Sequence, residues 1–81
     1  MIKLYSKNDC GACGLVKQFL EGNNVEFEYI NTDDVGNEKH KEYVFANYMG
    51  FPVVEYKDIA FTGFDYNQLN EIVEDANREW Y

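Results

Sequence analysis

The first half of the chain alternates between short apolar segments and polar loops. Apolar and polar residues alternate through Ile2-Lys3-Leu4-Tyr5-Ser6, which predicts a short strand. A helix over residues 10–21 is predicted by four apolar residues at helical spacing: Leu15, Val16, Phe19 and Leu20. Asp9 is placed to cap the start of this helix, and Gly22-Asn23-Asn24 to end it.

The rest of the chain predicts three further strands and two helices. A strand over residues 25–30 is predicted because Val25, Phe27 and Tyr29 alternate with glutamates. A helix over residues 38–48 follows, and then a hairpin of residues 53–56 and 59–61 around Lys57-Asp58. Asp65 is placed to cap a last helix, whose apolar face is Leu69, Ile72, Val73 and Ala76, extended by Trp80.

The predicted order of elements is β-α-β-α-β-β-α, which is typical of an α/β layered domain. Two strands joined by a helix are expected to run parallel, whereas the last two strands form an antiparallel hairpin. We therefore expect a four-stranded mixed sheet covered by three helices, in a single domain over residues 1–81. Cys10 then lies at the carboxyl end of the first strand, an edge where α/β sheets place their chemistry.

Charge and composition exclude several classes of protein. The chain has 81 residues with 7 basic and 15 acidic side chains, a net charge of −8. Nucleic acids and membrane surfaces are recognised by clustered lysine and arginine, so neither is an expected partner. No apolar run reaches the roughly 20 residues of a membrane span, and the start of the chain lacks the pattern of a secretory signal. We expect a cytoplasmic monomer.

The two cysteines stand three residues apart in Cys10-Gly11-Ala12-Cys13. A zinc site needs four ligands, and His40 is the one further natural candidate, so no metal site is predicted. A bridge that encloses two residues constrains the unfolded chain little, so stabilisation is a poor reason for it. Two buried, unreactive cysteines and a reversible dithiol/disulfide pair both remain open.

Position favours the reversible pair, because a helix amino terminus stabilises a thiolate. A free thiol with a pKa of about 8.5 is only a few per cent ionised at neutral pH. Partial positive charge and N–H groups at the helix start, with Lys7 nearby, are expected to lower the pKa of Cys10 to near 7. Cys13, one turn later, would be less exposed and would resolve a mixed disulfide on Cys10.

The single proline, Pro52, opens the third predicted strand. Proline has no N–H to donate, so the start of a strand suits it. The sequence alone assigns its peptide bond no more than the general frequency of the cis form, about 5–6% of X–Pro bonds.

Three motifs in order resemble the glutaredoxin family, in particular the small NrdH-type redoxins that serve ribonucleotide reductases. They are Lys7-Asn8-Asp9-Cys10-Gly11-Ala12-Cys13, Phe51-Pro52-Val53-Val54 and Phe61-Thr62-Gly63-Phe64-Asp65. The resemblance covers nearly the whole chain. It implies a thioredoxin-like fold and a thiol–disulfide oxidoreductase in a bacterial or virus-encoded cytoplasmic setting.

The resemblance also implies roles for individual residues. Cys10 would be the nucleophile, Cys13 the resolving thiol and Pro52 a cis-proline whose preceding backbone pairs with an incoming peptide. Glutathione, as a reductant rather than a tightly bound cofactor, would be held by residues from three segments: Lys7, Phe51, Pro52, Gly63, Phe64 and Asp65.

The chain departs from the family pattern at several positions. Gly11-Ala12 stands where glutaredoxins usually have Pro-Tyr, and Gly50-Phe51 where Thr-Val is common. No basic residue is recognised near Tyr48 to bind the glycine carboxylate of glutathione. Reduction by glutathione and reduction by a flavoprotein such as thioredoxin reductase therefore both remain open.

The leading functional prediction is an electron donor that reduces protein disulfides, with a ribonucleotide reductase as client. Gly11, a small residue after the first cysteine, is the one feature in favour of an iron–sulfur cluster carrier. A glutathione-mixed-disulfide reductase and a redox-inert interaction domain are two further hypotheses for the same cysteine pair.

Several polar and aromatic residues are assigned lesser roles. His40 is interpreted as a solvated helix residue. Tyr5 and Tyr66 are candidates to flank the cysteine pair. The acidic face of the last helix, which could steer a basic partner, comprises Glu71, Glu74, Asp75 and Glu79, and Trp80-Tyr81 are expected to pack on the domain.

Overall fold

The structure is a computed structural model that describes residues 1–78. These residues form the predicted order of four strands and three helices: β1 (Ile2–Ser6), α1 (Gly11–Gly22), β2 (Phe27–Asn31), α2 (Glu38–Asn47), β3 (Val53–Tyr56), β4 (Ile59–Thr62) and α3 (Tyr66–Arg78). The sequence-based expectations for Glu79, Trp80 and Tyr81 lie outside the described residues.

The strands form one mixed sheet in the order β2-β1-β3-β4. β1 runs parallel to β2, with Ile2 opposite Phe27, and antiparallel to β3, with Tyr5 opposite Val53. β3 and β4 form the antiparallel hairpin. The prediction of a parallel first pair and an antiparallel last pair is therefore confirmed.

Two groups of buried side chains fill the space on opposite faces of the sheet, because neighbouring residues of a strand point in opposite directions. α1 and α3 cover the larger group, which is Ile2, Leu4, Val16, Leu20, Val25, Val54, Tyr56, Phe61, Leu69, Ile72 and Val73. α2 covers the smaller group, which is Tyr5, Ile30, Val44 and Val53. The cysteine pair sits at the start of α1, beyond the carboxyl end of β1.

The start of α1 differs from the prediction in its capping residue. Cys10, not Asp9, is the N-cap, and its sulfur accepts the N–H of Cys13. Asp9 lies one residue earlier in the left-handed region, with φ of 56°. The sulfur thus takes the position at the helix start that the Asp9 carboxylate was predicted to occupy. Leu15, predicted to face the core, is 54% exposed.

The second strand begins two residues later than predicted and uses both of its faces. Val25 is buried in the segment before it, whereas Tyr29 is 42% exposed and Ile30 is buried under α2. The predicted alternation placed Tyr29 inside. Tyr29 is exposed on β2, which lies at the edge of the sheet, and Ile30 is buried because α2 covers the opposite face of the same strand.

Five elements begin and end within one residue of their predicted bounds: β1, α1, α2, β3 and β4. α2 ends at Asn47 and buries Val44 alone among its described residues. The turn between β3 and β4 places Lys57 at a φ of 52°. The Asp65 carboxylate accepts the N–H of Gln68 at 3.2 Å, so its predicted role as the cap of α3 is confirmed.

Candidate active site

The two cysteine side chains are joined in a disulfide at the amino end of α1, with Cα atoms 5.3 Å apart. Cys10 is half-buried, whereas Cys13 is 2% exposed. The two sulfurs therefore differ in access. A partner from solution can reach Cys10, and Cys13 can react only with what Cys10 already holds.

The backbone of α1 directs a donor at the accessible sulfur. The N–H of Cys13 donates to Sγ of Cys10 at 3.2 Å, and the N–H of Gly14 donates to the carbonyl oxygen of Cys10 at 3.3 Å. The first turn of α1 contains no acidic residue. The N–H of Cys13 and the positive end of a 12-residue helix both favour a negative charge on this sulfur once the disulfide is reduced.

Pro52 lies beside the strand that leads to the cysteine pair. The pairing of Tyr5 with Val53, continued by one residue, sets Ser6 opposite Pro52. The Phe51–Pro52 peptide bond is cis, in agreement with the family resemblance, and Pro52 is buried. Its carbonyl oxygen accepts the N–H of Gly63 at 2.9 Å, which connects this loop to the segment before α3.

The side chains of Lys7 and Phe51 lie close to each other. The Nζ atom of Lys7 lies 5.9 Å from the centre of the Phe51 ring. Both residues line a cavity of about 490 Å³, which we call the Lys7 groove. Its lining residues are Lys7, Asn8, Asp9, Asp33, Lys41, Phe45, Met49, Gly50 and Phe51. Two of the lining residues, Asn8 and Asp9, directly precede Cys10 in the chain, whereas the cysteines themselves do not line the groove.

The other residues predicted to hold glutathione do not line this groove. Gly63, with φ of +81°, and Phe64 precede α3, and the Phe64 ring packs edge-on against Phe19 at 5.9 Å. Asp65 is occupied as a helix cap, and hydrogen bonds from the side chain and backbone of Gln68 hold the pKa of its carboxyl below the ordinary value. Of the predicted set, Lys7 and Phe51 line the groove, and the hydrogen bond from Gly63 to Pro52 connects the segment before α3 to Phe51.

Two charged residues of the groove, Asp33 and Lys41, were not predicted from the sequence as part of the site. Lys41 Nζ lies 2.8 Å from an Asp33 carboxylate oxygen, and the N–H of Asn8 donates to the other oxygen at 2.9 Å. The hydrogen bond from Lys41 is the largest cause that lowers the pKa of Asp33. Asp33 follows β2 at the sheet edge where Cys10 follows β1, and this shared edge was the available signal.

Tyr5 packs in the core rather than beside the cysteines. It is 4% exposed, and its ring centre lies 6.0 Å from that of His40 and 5.7 Å from that of Tyr43. Burial, followed by the nearby Glu55 carboxylate, raises the pKa of Tyr5 to about 12. Tyr66 packs edge-on against Phe19 at 5.8 Å. His40 is exposed.

Within residues 1–78, no three histidine, cysteine or carboxylate side chains come together as a metal site would need. None of the helices in this part of the chain is both long and apolar enough to cross a membrane.

Comparisons with known proteins agree with this geometry. A family model described as glutaredoxin matches residues 2–60. The glutaredoxin-like protein NrdH of Lactococcus lactis subsp. lactis is 32% identical over 72 residues, which cover 89% of this chain and 99% of that protein. A glutaredoxin-like 8.6 kDa protein of the Clostridium pasteurianum rubredoxin operon is 27% identical over 91% of this chain and 99% of its own length.

Solved structures share the same architecture. The NrdH-redoxin of Escherichia coli, described as having a thioredoxin-like activity profile, matches with a TM-score of 0.75 and 31% identity over 88% of this chain and 92% of that chain. A glutaredoxin from Archaeoglobus fulgidus matches with a TM-score of 0.75 and 25% identity, over 89% and 84% of the two chains. The predicted thioredoxin-like fold is confirmed.

Proposed function

We propose, because this chain belongs to the glutaredoxin family of thiol–disulfide oxidoreductases, that it reduces protein disulfides through nucleophilic attack by Cys10. One observation carries the proposal. The half-buried sulfur of Cys10 receives the Cys13 N–H at 3.2 Å at the start of α1, while the sulfur of Cys13 is shielded. The thiolate is the attacking species in disulfide exchange, and this placement favours it at one sulfur only.

The reaction proceeds in two exchanges that balance. The Cys10 thiolate attacks one sulfur of the client disulfide, which forms a mixed disulfide and releases the other client sulfur as a thiolate. Cys13 then loses its proton and attacks Sγ of Cys10, which releases the second client thiol and leaves the Cys10–Cys13 bond. The dithiol supplies both electrons, so the exchange requires no resident metal or cofactor.

Burial of Cys13 supports its role as the resolving thiol. A buried sulfur is inaccessible to a folded client, but it lies one helical turn from Cys10, whose Cα atom is 5.3 Å away. Glutathione and unrelated proteins therefore meet Cys10 first.

For the client, we propose a disulfide of a ribonucleotide reductase. The support is the similarity over almost the full length of the NrdH relatives, together with the resemblance of the Thr62-Gly63-Phe64 segment to reductase-serving redoxins. Thioredoxin reductase is the proposed electron source, because a relative of 31% identity is described as having a thioredoxin-like activity profile.

Single-cysteine variants test the mechanism. Reduction of a protein disulfide, followed by release of client thiol, is expected to disappear in Cys10→Ser. The Cys13→Ser variant is expected to accumulate a mixed disulfide between Cys10 and the client, visible as an adduct by non-reducing gel and mass spectrometry. Full activity of Cys10→Ser, or an adduct on Cys13 in that variant, would refute the mechanism.

The electron source is tested by NADPH consumption with the wild-type protein and an excess of disulfide. Thioredoxin reductase is expected to sustain turnover, and glutathione with glutathione reductase to sustain it poorly. The opposite ranking would replace the proposed reductant while leaving the cysteine mechanism in place.

A further inference from the structure

The charges that line the Lys7 groove balance one another. Its four charged side chains are those of Lys7, Lys41, Asp9 and Asp33, two of each sign. The rest of the chain is strongly acidic, with a net charge of −8. The groove, which includes the two residues before Cys10, is therefore an electrically neutral surface on an otherwise negative protein.

Asp33 is the residue that creates this balance at the α2 side of the groove. Its carboxylate binds Lys41 at 2.8 Å, with side-chain exposures of 25% for Asp33 and 44% for Lys41. The same carboxylate accepts the N–H of Asn8, two residues before Cys10. The amide of Asn31 adds a hydrogen bond to the Asn8 side chain at 2.9 Å. Hydrogen bonds from Lys41 and from the Asn8 N–H therefore hold the Asp33 carboxylate at the groove.

An ammonium that is already paired attracts a further anion weakly, because the paired carboxylate cancels most of its field. A substrate whose groups beside the disulfide are anionic would meet two ammonium groups that are already matched by two carboxylates, and the net charge of −8 on the chain would repel it. That net charge would attract a basic segment of chain and would leave a neutral one unaffected. Specificity of this kind arises from disfavouring the wrong partner as much as from binding the right one.

We propose that Asp33 is a specificity residue of the redox site, which pairs with Lys41 and so directs Cys10 toward disulfides flanked by neutral or basic groups rather than anionic ones. This inference rests on the proposed disulfide-reductase function. Asp33 acts through Lys41 and through the loop before Cys10, so it is a positioning residue and takes no part in the bond exchange itself.

Three small disulfides that differ in charge test the proposal. Glutathione disulfide is anionic at pH 7, cystamine is cationic and 2-hydroxyethyl disulfide is neutral. Reduced protein is mixed with each disulfide as the sole reductant, so one Cys10–Cys13 bond and two substrate thiols form per disulfide consumed. The rate constant for the neutral compound reports the reactivity of Cys10. The rate constant for each charged disulfide, divided by that for the neutral one, measures the charge preference of the site.

The Asp33→Asn variant removes the charge and keeps an oxygen that can accept the Asn8 N–H. The rate constant for glutathione disulfide, divided by that for the neutral compound, is expected to be roughly three- to tenfold higher in this variant than in the wild type. The same ratio for cystamine is expected to be lower by a similar factor. Lys41→Met is expected to shift both ratios in the opposite direction. Both changes should shrink at high salt, where Coulomb interactions between exposed groups are screened.

Asp58→Asn is the matched control for net charge. Asp58 lies in the turn between β3 and β4, at the opposite end of the sheet from the cysteines, so this variant should keep the wild-type ratios. Unchanged ratios in Asp33→Asn, or equal changes in Asp33→Asn and Asp58→Asn, would overturn the proposal. Failure of the wild type to reduce the neutral disulfide would instead overturn the proposed function.

Discussion

Single residues of this protein serve structure and chemistry at once. The sulfur of Cys10 caps α1 by accepting the Cys13 N–H, and the same N–H is positioned to stabilise the thiolate after reduction. Asp75 serves structure alone. Its carboxylate accepts hydrogen bonds from the Tyr56 hydroxyl at 2.7 Å, from Lys57 at 2.9 Å and from Arg78 at 3.2 Å.

The contacts of Asp75 predict a specific acid sensitivity. Hydrogen bonds from Tyr56, Lys57 and Arg78, in that order, lower the pKa of Asp75 from 3.8 to about 2. Its charged form is therefore favoured by folding. The resulting stability is present in full above about pH 4 and is lost as the pH falls toward 2.

The Asp75→Asn variant should therefore unfold at lower urea concentration than the wild type at pH 7, and the two midpoints should converge between pH 4 and pH 2. Urea unfolding followed by circular dichroism at several pH values measures this. A difference between the midpoints that does not change with pH would contradict the lowered pKa of Asp75.

Local sequence predicted the residues that act within a few positions of one another. The spacing of Cys10 and Cys13 and the capping role of Asp65 depend on one turn of helix, so the sequence is sufficient for them. The pairing of Asp33 with the Asn8 N–H joins residues 25 apart in the chain. Such a contact depends on how strand ends meet at a sheet edge, which single-residue patterns do not encode.

At the scale of elements, α1 positions the cysteine pair because one of its faces is anchored in the core. Val16 and Leu20 are fully buried, and Cys13 lies on the same side with 2% exposure. Hydrophobic periodicity predicted this helix but included Leu15, which is 54% exposed. Periodicity alone could not separate Leu15 from the buried residues, because all of them are apolar and stand at helical spacing.

The two leucines of α1 give a matched pair of substitutions. Leu20→Ala removes a fully buried side chain and should cost about 2–5 kcal/mol of unfolding free energy. Leu15→Ala, on the same helix but exposed, should change it by about 0.5 kcal/mol or less. Urea unfolding of both variants in the oxidised form checks this. Equal losses would mean that the buried face of α1 is wrongly assigned.

The second strand shows the other limit of element prediction. Its existence and parallel pairing follow from the βαβ order, and both are confirmed. Which of its residues are buried did not follow from the sequence, because Ile30 packs under α2 while Val25 packs on the opposite face of the sheet. Alternation identifies one apolar face, and a strand with helices on both faces has two.

At the scale of the whole molecule, the net charge of −8 opposes compaction. Fifteen acidic and 7 basic side chains share 81 residues, so like charges are crowded together in the folded state. Exposed ion pairs such as Lys41–Asp33 and Lys57–Asp75 offset part of this repulsion, and each contributes little in water. Repulsion of this kind is screened by salt over a distance of about 8–10 Å.

Added salt should therefore stabilise the protein at neutral pH. We expect the Tm to rise by a few degrees between low salt and about 0.3 M sodium chloride, since screening weakens self-repulsion more than it weakens the few ion pairs. Near the isoelectric pH of about 4.4, where the net charge vanishes, the rise should be absent. Calorimetry with and without salt, at pH 7 and near pH 4.4, measures these changes in Tm. A Tm that falls with salt at pH 7 would contradict this view of the charge.

The mechanism requires that the start of α1 and Lys7 keep the sulfur of Cys10 about half ionised at neutral pH, compared with a few per cent for a free thiol. The most direct measurement is the ultraviolet absorbance of the thiolate against pH in the Cys13→Ser variant, where one thiol titrates. The account predicts a pKa near 7, and a higher value after Lys7→Gln but not after Lys39→Gln, a control at an exposed lysine of α2. A pKa of about 8.5 or above, as in a free cysteine, would contradict the account.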